Sequence, residues 1–214
     1  FPNAVSVVDS FHVIQWITHK IDMYIRNLIK DFKKRDREIY ISNGGIIDEH
    51  TYIPASREVY LLQKYKWLIL ANQSSITYHN ELRMDTKLRC LMNTYDYEDS
   101  LFTIDPTLRT LRDLKELYVQ FNARNAGKPM DARLELDYLI DKYIQCGNPI
   151  FYDFANLLIR NHDYIINSFV MVEKHGPGKI YTSRLSNGPI ESLNRKAKDL
   201  KRLGHGYRNF EHFR

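Results

Sequence analysis

The chain has 214 residues, 43% of them apolar and 13% aromatic, and a formal net charge of +5. That is enough apolar material to bury a core in one or two domains, which excludes disorder as the default state. No apolar run approaches the length of a bilayer span and no charged-then-apolar leader opens the chain, so membrane and export readings fall away.

In chain order, Ala4-Val5-Ser6-Val7-Val8 reads as a buried strand that ends at Asp9. No partner strand follows closely, so its neighbours are expected upstream or in a short strand later on. With Phe1 rather than Met at its start, the chain is expected to be a piece of something longer. Phe11, Ile14, Ile17, Ile21, Tyr24, Ile25, Leu28 and Phe32 then follow a helical period, predicting a long amphipathic helix that ends in the charged stretch Lys30 to Arg37. Asn43-Gly44-Gly45 marks a turn. Trp67-Leu68-Ile69-Leu70 fits a second strand or the continuation of a helix from Pro54.

From Tyr78 to Val172 the pattern is helical throughout, from Leu88, Leu91 and Met92 to Ile165 and Phe169, and predicts four helices. Their breaks fall at Asp105-Pro106, at Asn125 to Pro129, at Gly147-Asn148-Pro149 and at Gly176-Pro177-Gly178, each with turn chemistry. A last helix is well signalled: Ser186 or Asn187 caps it, Pro189 suits its first turn and Gly204 ends it. Its stripe of Ile190, Leu193, Ala197, Leu200 and Leu203 is predicted to be buried. Glu191, Asn194, Arg195, Lys198 and Arg202 share another, exposed face. The fold class predicted is mainly α with one or two strands. It divides into a first unit over 1–75, a helical insertion over 76–178 and a basic helix with its tail over 179–214.

Charge is concentrated in that last unit. Residues 179–214 hold nine Lys and Arg against three Asp and Glu, while the preceding stretch holds 22 against 23. A basic surface on a near-neutral body is the footprint of a phosphate-backbone binder, although such helices also occur simply as solvated faces. Neither common Gly-rich phosphate loop is present, and two cysteines, Cys90 and Cys146, form no disulfide framework or CxxC metal signature, which fits a reducing cytoplasmic setting.

Two carboxylates stand out. Asp9 ends an apolar strand, where sheet proteins present polar groups to ligands, and it is equally suited to cap the following helix. Glu191 opens a strongly basic helix, where an acid either serves chemistry or complements the helix dipole within a capping box. His12, three residues after Asp9, is placed to reach the same site or a DNA phosphate. Tyr207, Phe210 and Phe213 in the tail suit a core or an interface, with base stacking as the alternative.

Taken together, the order strand, Asp9, Ser10-Phe11-His12, helical insert, Ser186-Asn187-Gly188-Pro189-Ile190-Glu191 with Asn194 and Lys198, and then Gly204-His205-Gly206-Tyr207-Arg208, resembles the C-terminal part of a DDE transposase. More narrowly it is similar to bacterial insertion-sequence transposases of the ISL-three type. The resemblance is strongest over 4–20 and 182–214. It implies an incomplete ribonuclease-H-like α/β core carrying an all-helical insertion, with Asp9 as the second acid of the triad, Glu191 as the third and the first acid upstream of Phe1. It also implies that these carboxylates hold two Mg²⁺ or Mn²⁺ ions for phosphodiester cleavage and strand transfer, that a piece lacking the first acid is inactive, and that the partners are transposon-end and target DNA in a homodimer or larger assembly, with no small-molecule substrate. Asn194, Arg195, Lys198, Lys201 and Arg202 would hold DNA against the metals, with Arg184 and Arg208 as further candidates for that track. A non-catalytic DNA-binding or regulatory helical protein, in which Glu191 is only a cap, stands as the alternative; a protein-interaction module is a third.

Overall fold

The computed structural model describes residues 5–48, 51–176 and 178–203; the side chains of Pro189, Ile190, Lys201 and Leu203 lie outside that description, as do Arg208 and the tail aromatics. Most of the described chain is helical, and two small antiparallel sheets of two strands each accompany the helices.

Helix α1 (Ser10–Ser42) is the spine. Val13, Ile17, Ile21, Ile25 and Ile29 recur every fourth residue and are buried, so one stripe of a helix about 50 Å long faces the core. It runs past the charged stretch that was expected to end it, because Arg35 pairs with Glu58 of α2 (Arg57–Tyr65) and Asp36 accepts from Ser56 N at 3.0 Å. Against α1 pack α2, α5 (Thr107–Arg124) and α7 (Pro149–Arg160). Phe154 of α7 stacks on Trp16 at 5.9 Å and meets Tyr118 and Tyr143 at 5.3 and 5.4 Å, which makes the centre of the core aromatic. Helices α4 (Thr94–Ile104), α6 (Pro129–Gln145) and α8 (His162–Asn167) complete the body, and α4 to α7 break where turn chemistry predicted.

Three local expectations are corrected. Residues 67–70 form a short helix, α3 (Trp67–Leu70), and not a strand. The reason is the fully buried Lys115, whose ammonium donates to the carbonyls of Ile69 at 3.2 Å and Leu70 at 2.9 Å and also to that of Ala71, closing the helix end. Leu88, Leu91 and Met92 belong not to a helix but to a hairpin of β1 (Arg83–Asp85) and β2 (Cys90–Met92). Asp85 makes that turn by accepting from Lys87 N and Leu88 N, both at 3.0 Å, and Arg89 adopts a positive φ of 56°. Residues 5–8 form no strand and belong to no regular element; Ala4 lies outside the described residues. Their polar groups are met singly: Val8 N donates to Tyr164 O at 3.1 Å, and Ser6 O accepts from the Asn167 amide at 3.0 Å.

A second hairpin, β3 (Met171–Gly176) and β4 (Lys179–Arg184), follows α8, in a segment read as the end of the helical run and the break after it. Gly178 turns it with a φ of 74°, a conformation glycine adopts without strain. Helix α9 (Gly188–Leu203) then closes the described chain. The described part of its apolar stripe is not buried: Leu193 is 65% and Leu200 58% exposed, Ala197 is exposed as well, and α9 makes no extended packing with another described element. The spacing therefore gave the helix correctly and the environment of Leu193, Ala197 and Leu200 wrongly, while the side chains of Ile190 and Leu203 lie outside the described residues.

Candidate active site and nucleic-acid interface

Asp9 is the N-cap of α1, and its Oδ1 accepts from Phe11 N at 3.2 Å. Capping and site roles are compatible here, because Asp9 also lines a cavity of about 340 Å³ together with Ser10, Lys174, Ser183, Arg184 and Ser186.

Glu191 sits in the first turn of α9, where Asn187 O accepts from its backbone at 3.0 Å. Its carboxylate reaches across to α1, with Oε1 3.0 Å from His12 Nε2. The side chain of Asn187, just before α9, also reaches that segment: Nδ2 donates to Val7 O at 2.5 Å, two residues before Asp9. Two motifs at opposite ends of the chain are thus tied reciprocally, one through His12 and Glu191, the other through Asn187 and Val7. Sequence pattern singled out Asp9, His12 and Glu191; Asn187 appeared there as a cap and as part of the quoted motif, and nothing local signalled its reach.

Along α9, the side chains of Glu191, Asn194, Arg195, Lys198, Asp199 and Arg202 line one groove of about 400 Å³. All six are exposed. Asp199 lies 3.7 Å from Arg202 and offsets part of its charge, whereas Arg195 and Lys198 have no carboxylate partner among the described residues. Lys201 shares the helix, but its side chain lies outside the described residues.

Arg184 is placed differently from the α9 cations. Its guanidinium donates to Ser168 O at 3.0 Å, Ser168 Oγ at 3.1 Å and Asn122 Oδ1 at 2.9 Å, and lies over the Phe169 ring at 4.2 Å. Burial pushes its pKa down from the usual value, opposed by the nearby Tyr118 and Asp9 groups. It is a half-buried root for the hairpin whose charge is felt at Asp9.

A family model described as Transposase, of the ISL3-type DDE group, matches residues 1–214. The chain belongs to the ISL3-type DDE transposase family. No curated protein and no solved structure matches it. Membership places this transposase-family chain among the enzymes that move DNA by polynucleotidyl transfer. No described helix is long and apolar enough to cross a membrane. Asp9 and Glu191 suit a divalent cation in kind, being hard oxygen donors, but fall short in number: no group of three or more His, Cys, Asp and Glu among the described residues could hold a metal ion.

Proposed function

We propose that Asp9 and Glu191 are two of the three carboxylates of a metal-dependent transposase centre on a ribonuclease-H-like fold, and that the α9 face holds DNA beside them. The observation that supports this most is the pair of ties that brings Glu191 to the Asp9 segment, His12 Nε2 to Glu191 Oε1 and Asn187 Nδ2 to Val7 O. In this proposal residues 1–75 contribute to the core, 76–178 are an insertion and 179–214 carry the third acid and the basic track; the remaining acid comes from sequence outside these 214 residues. Mg²⁺ or Mn²⁺, when bound by Asp9 and Glu191, would supply charge stabilisation at the scissile phosphate. His12 orients the Glu191 carboxylate. Asn194, Arg195, Lys198, Lys201 and Arg202 bind backbone phosphates, with Arg208 extending the track, and contribute little sequence preference. The protein acts in the cytoplasm on chromosomal DNA, as a homodimer or larger assembly on paired transposon ends.

The test is cleavage at the ends of the parent element by the complete transposase in Mg²⁺. Metal-dependent nicking is expected; DNA binding with no metal-dependent cleavage would leave the non-catalytic alternative. The 214-residue chain by itself is expected to leave the same DNA uncut, and robust turnover by it would overturn the assignment of an external first acid. For Lys198→Ala/Arg202→Ala, affinity should fall similarly for unrelated DNA sequences. The slope of log affinity against log salt should become shallower by about 0.9 for each phosphate that is no longer neutralised. Titrations at several salt concentrations check this, and an unchanged slope would remove those side chains from the track.

A further inference from the structure

Resting on the reading that this chain binds DNA, we propose that the β3–β4 hairpin is a second DNA-binding surface. One face would hold backbone phosphates through Lys174 and Lys179 and lead the strand past Tyr181 and Ser183 to the cavity beside Asp9.

Register fixes which residues share that face. Lys174 pairs with Tyr181, Val172 with Ser183 and Gly176 with Lys179. Residues directly opposite in an antiparallel pair project to the same side, and every second residue along a strand does too. Lys174, Lys179, Tyr181 and Ser183 therefore form one stripe, while Glu173, the acid of the hairpin, projects to the other side.

Three observations give the stripe a ligand chemistry. Neither Lys174 nor Lys179 forms an ion pair or side-chain hydrogen bond among the described residues, so both positive charges are uncompensated. The Tyr181 ring is 45% exposed, with the Lys179 ammonium 6.0 Å from its centre, which offers a flat apolar surface beside a cation, as sugars and bases require. A Cβ at position 176 would come within 3.2 Å of that ring, so Gly176 is what lets the ring lie across the strand. At its root the stripe enters the cavity of about 340 Å³, where Lys174 and Ser183 face Ser10, Ser186 and Asp9. Hydroxyls and one ammonium around a concave site match the oxygens of a phosphodiester. Asp9 is the opposing charge there, which sets the cavity at the edge of the phosphate path and the two lysines along it.

The hairpin is also held firmly enough to present such a surface. Arg184 ties its base to Ser168 and Asn122, and Leu185 N donates to Val170 O at 2.8 Å. A six-residue hairpin so rooted projects about 20 Å from the body.

The experiment is a fluorescence-anisotropy titration of the 214-residue chain with a short labelled DNA duplex of arbitrary sequence, repeated across a salt series. Lys174→Ala/Lys179→Ala should lower the salt slope by about 1.8, so that its low-salt affinity loss is near tenfold larger at about 50 mM than at about 200 mM salt. Charge reversal, Lys174→Glu/Lys179→Glu, should weaken binding further with an unchanged circular dichroism spectrum, because these side chains make no described interaction that holds the body. Wild-type affinity and slope in both variants, with Lys198→Ala/Arg202→Ala still impaired, would overturn the hairpin proposal and leave the DNA-binding reading intact. A wild-type chain with no affinity for DNA would overturn both.

Discussion

Asp9→Ala and Glu191→Ala are each expected to abolish strand cleavage by the complete transposase while the helical body stays folded. Removing a carboxylate that would hold the charge-stabilising cation at the scissile phosphate costs about 4 kcal/mol, close to a thousandfold in rate. The structural cost is much smaller. Asp9 contributes a helix cap of about 1 kcal/mol through Phe11 N, and Glu191 is 58% exposed at its side chain. Asp9→Asn separates the two roles, since an amide oxygen still caps α1 but no longer carries charge. It should melt with the wild type and fail to cleave. His12→Ala should slow cleavage by about tenfold to a hundredfold, as loss of a group that orients a ligand does, with partial recovery in His12→Gln, whose amide can still donate to Glu191. Single-turnover cleavage and thermal melts on the same preparations decide. Cleavage at wild-type rate by Asp9→Asn or Glu191→Ala would end the site assignment.

The second large effect falls far from α9. Asp85→Ala should destabilise the fold by about 3–5 kcal/mol, because it leaves part-buried donors without their buried acceptor. One carboxylate oxygen of Asp85 accepts from Tyr60 at 2.8 Å, Tyr97 at 3.0 Å and Tyr65 at 3.1 Å, and the other from the turn backbone. The Tyr65 and Tyr97 rings stack 3.7 Å apart, and Lys64 covers the cluster 3.8 Å from Asp85. Three elements, α2, α4 and the β1–β2 hairpin, meet at this one group. Burial alone would raise the Asp85 pKa; the Leu88 backbone and the Tyr60, Tyr97 and Tyr65 hydroxyls more than offset it and hold the carboxyl well below the ordinary range. A depressed carboxylate stabilises the fold above its unfolded pKa, about 3.9, and loses that contribution as pH falls below it. The stability gap between wild type and Asp85→Asn should therefore be widest near neutrality and narrow in acid. A gap that stayed constant down to acid unfolding would rule out an ionised Asp85 as its source.

Much of the helical body was legible because it follows from local rules. The stripe of α1 needs only a period of 3.6, and the breaks at Asp105-Pro106 and Gly147-Asn148-Pro149 need only turn chemistry. What escaped depended on distant groups. Nothing within Trp67 to Leu70 announces that Lys115 will close it as a helix, and nothing in Val5 to Val8 announces that α8 will satisfy its backbone. Both hairpins were hidden because apolar residues in short strands mimic a helical face; Leu88, Leu91 and Met92 fit a step of three or four equally well. At the site, residue type and position singled out Asp9, His12 and Glu191, whereas the partnership of Asn187 with Val7 and the lysines of β3 and β4 required tertiary structure to see.

The ties between α1 and α9 have a consequence for the order in which this protein comes into being. His12 and Glu191 are 179 positions apart, and Asn187 and Val7 are 180 apart. Contacts of such high sequence separation close very long loops, and they form late unless the intervening chain has already collapsed. Glu191 is synthesised after the whole of the helical body that separates it from His12. In a nascent or partly unfolded molecule the Asp9 and Glu191 segments are therefore apart, and the proposed site would assemble only after the helical body between them has been synthesised and packed.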